Sequence, residues 1–134
     1  KEEVQADVRE LPRIFAGRVF DTIICAEFIE HLEDPYAFLR EIKRFLSPQG
    51  QLIISTPNPI SFPVVAFEWL GTRKFFYSSD HTYYFLPRWV WRLLERTGYK
   101  VVKQKGVGLW LPGKFILPCP VSLSYQAIYV AEHA

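Results

Sequence analysis

Phe20-Asp21-Thr22-Ile23-Ile24-Cys25-Ala26-Glu27-Phe28-Ile29-Glu30-His31-Leu32-Glu33-Asp34-Pro35 begins as an apolar strand and breaks into a cluster of acids and a histidine before a helix starts. Ligand sites in open α/β sheets lie at this place, just past the carboxyl ends of the strands. Glu27, Glu30 and His31 stand at i, i+3 and i+4, so one helical turn would show all three from a single face. A buried strand does not need such a cluster to fold, so it asks for a chemical explanation.

Working outward, Val19–Cys25 is apolar except for Asp21 and Thr22, the pattern of a central strand buried on both faces. Asp34-Pro35 supplies an N-cap acid followed by proline at the first helical position. Phe38, Leu39, Ile42, Phe45 and Leu46 then form an apolar stripe, and Ser47-Pro48-Gln49-Gly50 ends the helix. Gln51–Thr56 reads as a second buried strand stopped by Pro57-Asn58-Pro59. Pro87 opens another helix with Val90, Leu93 and Leu94 on its inner face and Gly98 as terminator. Tyr99–Gln104 and Ser124–Ala131 read as strands, and Val4–Ala6 as the tail of one. Gly106–Pro120, rich in Gly and Pro, reads as a loop. Residues 60–86 are aromatic and irregular. The alternation of strands and helices gives an α/β fold with a mixed sheet.

Composition narrows the function classes. A chain of 134 residues with four Trp, seven Tyr and eleven Phe can build one real core and is not disordered. A formal net charge of +2 gives no electrostatic case for nucleic acid as a partner. Arg88, Arg92 and Arg96 make a basic stripe that reads as a solvated helix face, with RNA backbone contact as the alternative. Cys25 and Cys119 have neither CxxC spacing nor a disulfide framework, so Cys25 reads as a small buried hydrophobe. No apolar run approaches the ~20 residues that span a bilayer, and a reducing, cytoplasmic setting is the expectation.

The ordered segments Asp7-Val8-Arg9-Glu10-Leu11-Pro12, Phe20–Ile24, Glu30–Pro35, Leu46–Gly50, Ser55-Thr56-Pro57-Asn58, Asp80–Phe85 and Leu94–Tyr99 resemble class I S-adenosylmethionine-dependent methyltransferases. The resemblance covers nearly the whole chain and implies a Rossmann-like fold with strand order 3-2-1-4-5-7-6. It makes residues 1–134 a single partial domain holding the third to seventh strands, incomplete at its N-terminus. The family's glycine-rich cofactor loop and its ribose-binding acid have no counterpart; Gly106-Val107-Gly108 follows a strand, but Pro112 and Gly113 stand where a helix should begin. Val19–Cys25 then becomes an exposed edge, expected to take a second copy or a completing N-terminal segment.

The resemblance implies methyl transfer, at oxygen of a small or lipid-like acceptor. It puts S-adenosylmethionine against Asp7, Val8, Cys25 and Ala26, Asp7 accepting from the adenine amino group. Residues 60–86 would cover the substrate. Glu27, Glu30 and His31 resemble the Glu-x-x-Glu-His set of magnesium-dependent O-methyltransferases of quinone biosynthesis and of small-RNA 2′-O-methyltransferases, where His81 would complete it. Two carboxylates with imidazoles suit Mn²⁺ or Fe²⁺, whereas Mg²⁺ prefers more oxygen. His31 and His81 are equally candidates for acid–base work without a metal, histidine titrating near neutrality. They also fit a purely structural role. Two readings stand beside the small-molecule enzyme: an RNA 2′-O-methyltransferase using the Glu/Glu/His/His site, and a non-catalytic remnant or partner subunit.

Overall fold

The computed structural model describes residues 5–70, 80–111 and 115–134. Four strands form the main sheet: β1 (Phe20–Ala26), β2 (Leu46–Pro57), β3 (Tyr99–Gly106) and β6 (Gln126–His133), in the order β1-β2-β6-β3. β1 and β2 run parallel, joined through helix α2 (Pro35–Ile42), while β6 lies antiparallel between β2 and β3. This mixed order is the 4-5-7-6 half of the sheet the family resemblance implies. The third strand expected at Val4–Ala6 does not form: Ala6 has no strand structure, and Val4 lies outside the described residues.

Helix boundaries follow the local chemistry. Asp34 caps α2 by accepting from the Ala37 amide at 2.9 Å, and Leu39 and Ile42 carry its buried face. The stop is a 3₁₀ turn at Lys43–Phe45, so the Ser47–Gly50 segment read as the terminator belongs instead to β2. It sits where the β1–β2 register slips between Phe20/Leu46 and Thr22/Gln51, an irregularity that absorbs the extra residues. Helix α4 (Pro87–Arg96) buries Val90, Leu93 and Leu94, and Gly98 ends it at φ 86, which a side chain would strain. The Lys43 ammonium donates to the Gly98 carbonyl and the Tyr99 hydroxyl to that of Leu39 at 3.0 Å, pinning the ends of α2 and α4 together.

Further elements stand where sequence periodicity was silent. Residues 60–86 contain helix α3 (Phe62–Trp69), besides a short helix α1 (Leu11–Ile14) near the N-terminus. Gly106–Pro120 is not all loop: β4 (Leu109–Leu111) and β5 (Phe115–Leu117) make a small antiparallel hairpin, strands too short for alternation to reveal. No helix among the described residues is long and apolar enough to cross a membrane.

The core occupies one face of the sheet. Leu52, Ile54, Ala127, Tyr129 and Ala131 from the strands pack with Leu39 and Ile42 of α2 and Val90, Leu93 and Leu94 of α4. On the opposite face Ile53, Ile128 and Val130 are only half-buried and Ile24 is 66% exposed. The reading of Val19–Cys25 as a strand buried on both faces is therefore wrong. β1 is an edge strand, and its alternation is masked because apolar residues stand on both its covered and its open side. Its fate as an exposed edge is as expected.

Candidate active site

Three side chains converge just past the sheet. Single ligand atoms of Glu30, His31 and His81 all lie within 4.8 Å of one another. Glu30 and His31 sit on one 3₁₀ turn, Ile29–His31, immediately after β1. His81 arrives from 50 residues on because the Glu30 carbonyl accepts from the amides of Thr82 (2.8 Å) and Tyr83 (3.0 Å). The Tyr83 hydroxyl donates to the Glu33 carbonyl at 3.0 Å and fastens the same segment further out. His31 and His81 meet edge to face at 4.7 Å between ring centroids. Since a carbonyl can only accept, His31 Nδ1 donates to the Asp80 carbonyl at 2.9 Å, and in the neutral ring the lone pair is then on Nε2.

Glu30 is the anomaly. Its side chain is fully buried, and neither carboxylate oxygen has a hydrogen-bond partner. Burial pushes its carboxyl above the ordinary range; its own backbone amide opposes this, the charge of Glu27 adds to it, and His31 and the adjacent Thr56 hydroxyl oppose it. The Thr56 hydroxyl is near enough to act on Glu30 but makes no well-formed hydrogen bond. The Nδ1 atom of His81 is likewise buried without a partner. Buried polar atoms are rarely left so. Three orphaned atoms, on a carboxylate and an imidazole, suit a cation as the missing partner.

Glu27 departs from the expected single helical face. It precedes the turn, in the left-handed region at φ 47. Its carboxylate accepts from the Ser55 hydroxyl at 2.7 Å and from Gln126 Nε2 at 2.9 Å. Neither partner was singled out in the sequence as a site residue. Ser55 stands in a quoted motif without a role, and Gln126 lies 99 residues from Glu27, joined to it only by strand order.

The residues expected at the cofactor divide. Asp7 and Val8 line a cleft of about 630 Å³ with Arg9, His31, Leu32 and Phe38. Asp7 accepts from the Arg9 amide (2.9 Å) and pairs with its guanidinium (2.8 Å), which hold its carboxyl down at about 2. Cys25 and Ala26 do not line this cleft. Cys25 is buried, which pushes its thiol up to about 12, as befits a small hydrophobe, and Ala26 is exposed at the end of β1. Of the aromatic residues in 60–86, Phe62 and Trp69 are exposed, and Phe75, Phe76 and Tyr77 lie outside the described residues. Arg88, Arg92 and Arg96 are exposed on α4, with the Arg92 guanidinium over the Trp89 ring.

Known proteins match this chain in sequence and in fold. A family model described as a methyltransferase domain matches residues 2–104. The ubiquinone biosynthesis O-methyltransferase of Cereibacter sphaeroides is 32% identical over 96 residues, 69% of this chain and 39% of that protein. A SAM-dependent methyltransferase of Thermotoga maritima, described as a possible histamine N-methyltransferase, superposes with a TM-score of 0.67 at 20% identity, covering 87% of this chain and 57% of that one. Magnesium protoporphyrin IX methyltransferase of Synechocystis PCC 6803, solved with bound SAH, gives 0.60 at 18% identity, covering 96% and 49%. The chain thus spans about two fifths of the length of the curated relative it matches. Sequence and fold agree, and the chain belongs to the class I S-adenosylmethionine-dependent methyltransferases.

Proposed function

We propose that this chain is part of an enzyme that transfers a methyl group from S-adenosylmethionine to an oxygen of a small or lipid-like acceptor, with a divalent cation held by Glu30, His31 and His81. The observation that carries this reading is the fully buried, unpartnered Glu30 carboxylate beside two histidines at the carboxyl end of β1. The relative named for ubiquinone biosynthesis supports oxygen as the acceptor atom.

S-adenosylmethionine supplies an activated methyl group, and a bound cation lowers the pKa of an acceptor hydroxyl. The protein contributes geometry. Asp7 and Val8 offer the cofactor's adenine a carboxylate acceptor and a backbone edge, and Cys25 and Ala26 contribute main chain at the end of β1. Asp80 holds the His31 ring in one tautomer, so Nε2 faces the site as a donor atom. His81, hinged on the Glu30 carbonyl, closes the other side and takes the acceptor's proton where no cation stands. Helix α3 and residues 80–85 cover the acceptor.

Titration with S-adenosylhomocysteine, with and without Mn²⁺, tests the cofactor and metal together. His81→Ala is expected to cut turnover by about 10²-fold or more, the scale of a lost acid–base or positioning group, with cofactor affinity unchanged. Loss of both would mean that His81 only holds the fold. The outer edge of β1 is proposed to take a further strand, from a second copy or from sequence preceding this stretch. Sedimentation velocity checks this, and a strictly monomeric profile over a wide concentration range would count against pairing between copies.

A further inference from the structure

We propose that the open side of α3 and the β4–β5 hairpin form one apolar surface that docks on a membrane containing anionic phospholipid. Along α3, Phe62, Val65 and Trp69 stand at i, i+3 and i+7, on one side of the helix. All three face solvent, as does Leu70 just beyond them, and Trp69 is 91% exposed. Val64, on the opposite side, is buried, so the helix is seated on the protein by one side and open on the other. Ile116 and Leu117 of β5 are exposed as well.

These elements gather at one end of the sheet. Pro57 at the close of β2 pairs with Gln126, and Gly106 at the close of β3 pairs with Ala127. Helix α3 follows the first of these strand ends and the hairpin follows the second. Two buried side chains tie them to the 3₁₀ turn Val121–Leu123 and the residue after it. Asn58 Nδ2 donates to the Val121 and Ser124 carbonyls at 2.6 and 3.1 Å, and the Ser124 hydroxyl accepts from the Gly108 amide at 3.0 Å. Ala26 pairs with Ser55 at this same end, so the turn that carries Glu30 and His31 lies there too.

The chemistry of the surface selects its occupant. An apolar patch of several large exposed side chains marks a docking site. Among the described residues of 60–70 and 106–125, Glu68 is the sole charged side chain, although 22% of the chain is charged. In sequence, Arg73 and Lys74 follow α3 and Lys114 stands between the hairpin strands, all of them cationic. A protein partner would call for a polar rim with directional hydrogen bonds. A bilayer calls for apolar area, a tryptophan at the headgroup level and basic residues toward anionic lipid. The strands that the family fold adds lie beyond β1, whereas the hairpin leaves the sheet from β3, at its other edge. Helix α3 is also proposed above to cover the acceptor, but docking on lipid does not depend on that reading.

Flotation of the full chain with lipid vesicles tests this without any methyl transfer. Wild type is expected to float with vesicles of phosphatidylcholine and phosphatidylglycerol, and far less with phosphatidylcholine alone. Phe62→Ser and Trp69→Ser each remove one exposed ring and should each weaken vesicle binding about tenfold or more, with the melting temperature unchanged. Ile24→Ser removes an exposed apolar side chain on β1, outside this surface, and should bind as wild type does. Failure of wild type to float, or flotation that Phe62→Ser and Trp69→Ser leave untouched, would overturn the proposal. Equal flotation with neutral vesicles, or an equal loss in Ile24→Ser, would overturn it as well. So would a lipid-free dimer that Trp69→Ser turns into a monomer, since the surface would then belong to a second copy.

Discussion

Replacing Glu30 with leucine is expected to raise the melting temperature of the metal-free protein and abolish its Mn²⁺ binding. Glu30 is fully buried with both oxygens unpartnered, an arrangement that costs about 1–3 kcal/mol for an unsatisfied polar group. Leucine is similar in volume and would fill the same buried position without that cost. A gain of this size corresponds to roughly 3–10 °C in a domain of this length. Calorimetry of the metal-free forms checks the first half and Mn²⁺ titration the second. The pH dependence has a definite sign. A carboxyl whose folded pKa is raised above the ordinary 4.5 favours folding most at low pH, and that contribution fades as pH rises through the window above 4.5. Wild type should therefore lose stability relative to the leucine variant on going from pH 4 upward. A variant less stable than wild type at neutral pH would mean that Glu30 has a protein partner after all.

Ile54→Ala carries the largest expected loss of stability. Ile54 is fully buried in β2, paired with Cys25 on one side and Tyr129 on the other. Truncation of a buried isoleucine costs about 2–5 kcal/mol. Against a total of about 5–15 kcal/mol for a typical domain, that is a large share. Among the described residues the main core cluster lies on the face of the sheet that Ile54 enters, which concentrates the loss there. Denaturant unfolding measures it. A midpoint within experimental error of wild type would mean that the half-buried face, with Ile53, Ile128 and Val130, carries more of the stability than the closed one.

Much of the architecture was legible in the chain because its signals are local. Asp34-Pro35 and Gly98 marked their helix ends correctly, since capping and left-handed turns depend on one or two residues. The stripe Val90, Leu93, Leu94 marked the buried face of α4, since helical periodicity is written over two turns. Glu30, His31 and His81 were picked out as chemistry-bearing residue types in a known order, and the fold brings them together. What stayed hidden depended on distant neighbours. The one-sidedness of β1 is set by which strand lies beyond it, and an apolar residue such as Ile24 looks the same on a covered face and an open one. The support of Glu27 by Gln126 depends on β6 crossing back between β2 and β3, which no window of sequence shows. The helical face expected to present Glu27 failed because one left-handed residue breaks the i, i+3, i+4 geometry.

The position of β6 also sets the order in which the molecule can be assembled. The strand at the centre of the pairing, bonded to β2 on one side and β3 on the other, is the last of the six along the chain. During synthesis β1, α2 and β2 can form a local unit, and α4 with β3 another. The two have no shared ladder until Gln126–His133 emerges from the ribosome. Long-range closure of this kind is slow and leaves apolar strand edges open in the meantime. A chain stopped short of Gln126 would consist of two halves with no ladder between them, held only by the α2–α4 contacts and each displaying an unfilled edge to any neighbouring nascent chain.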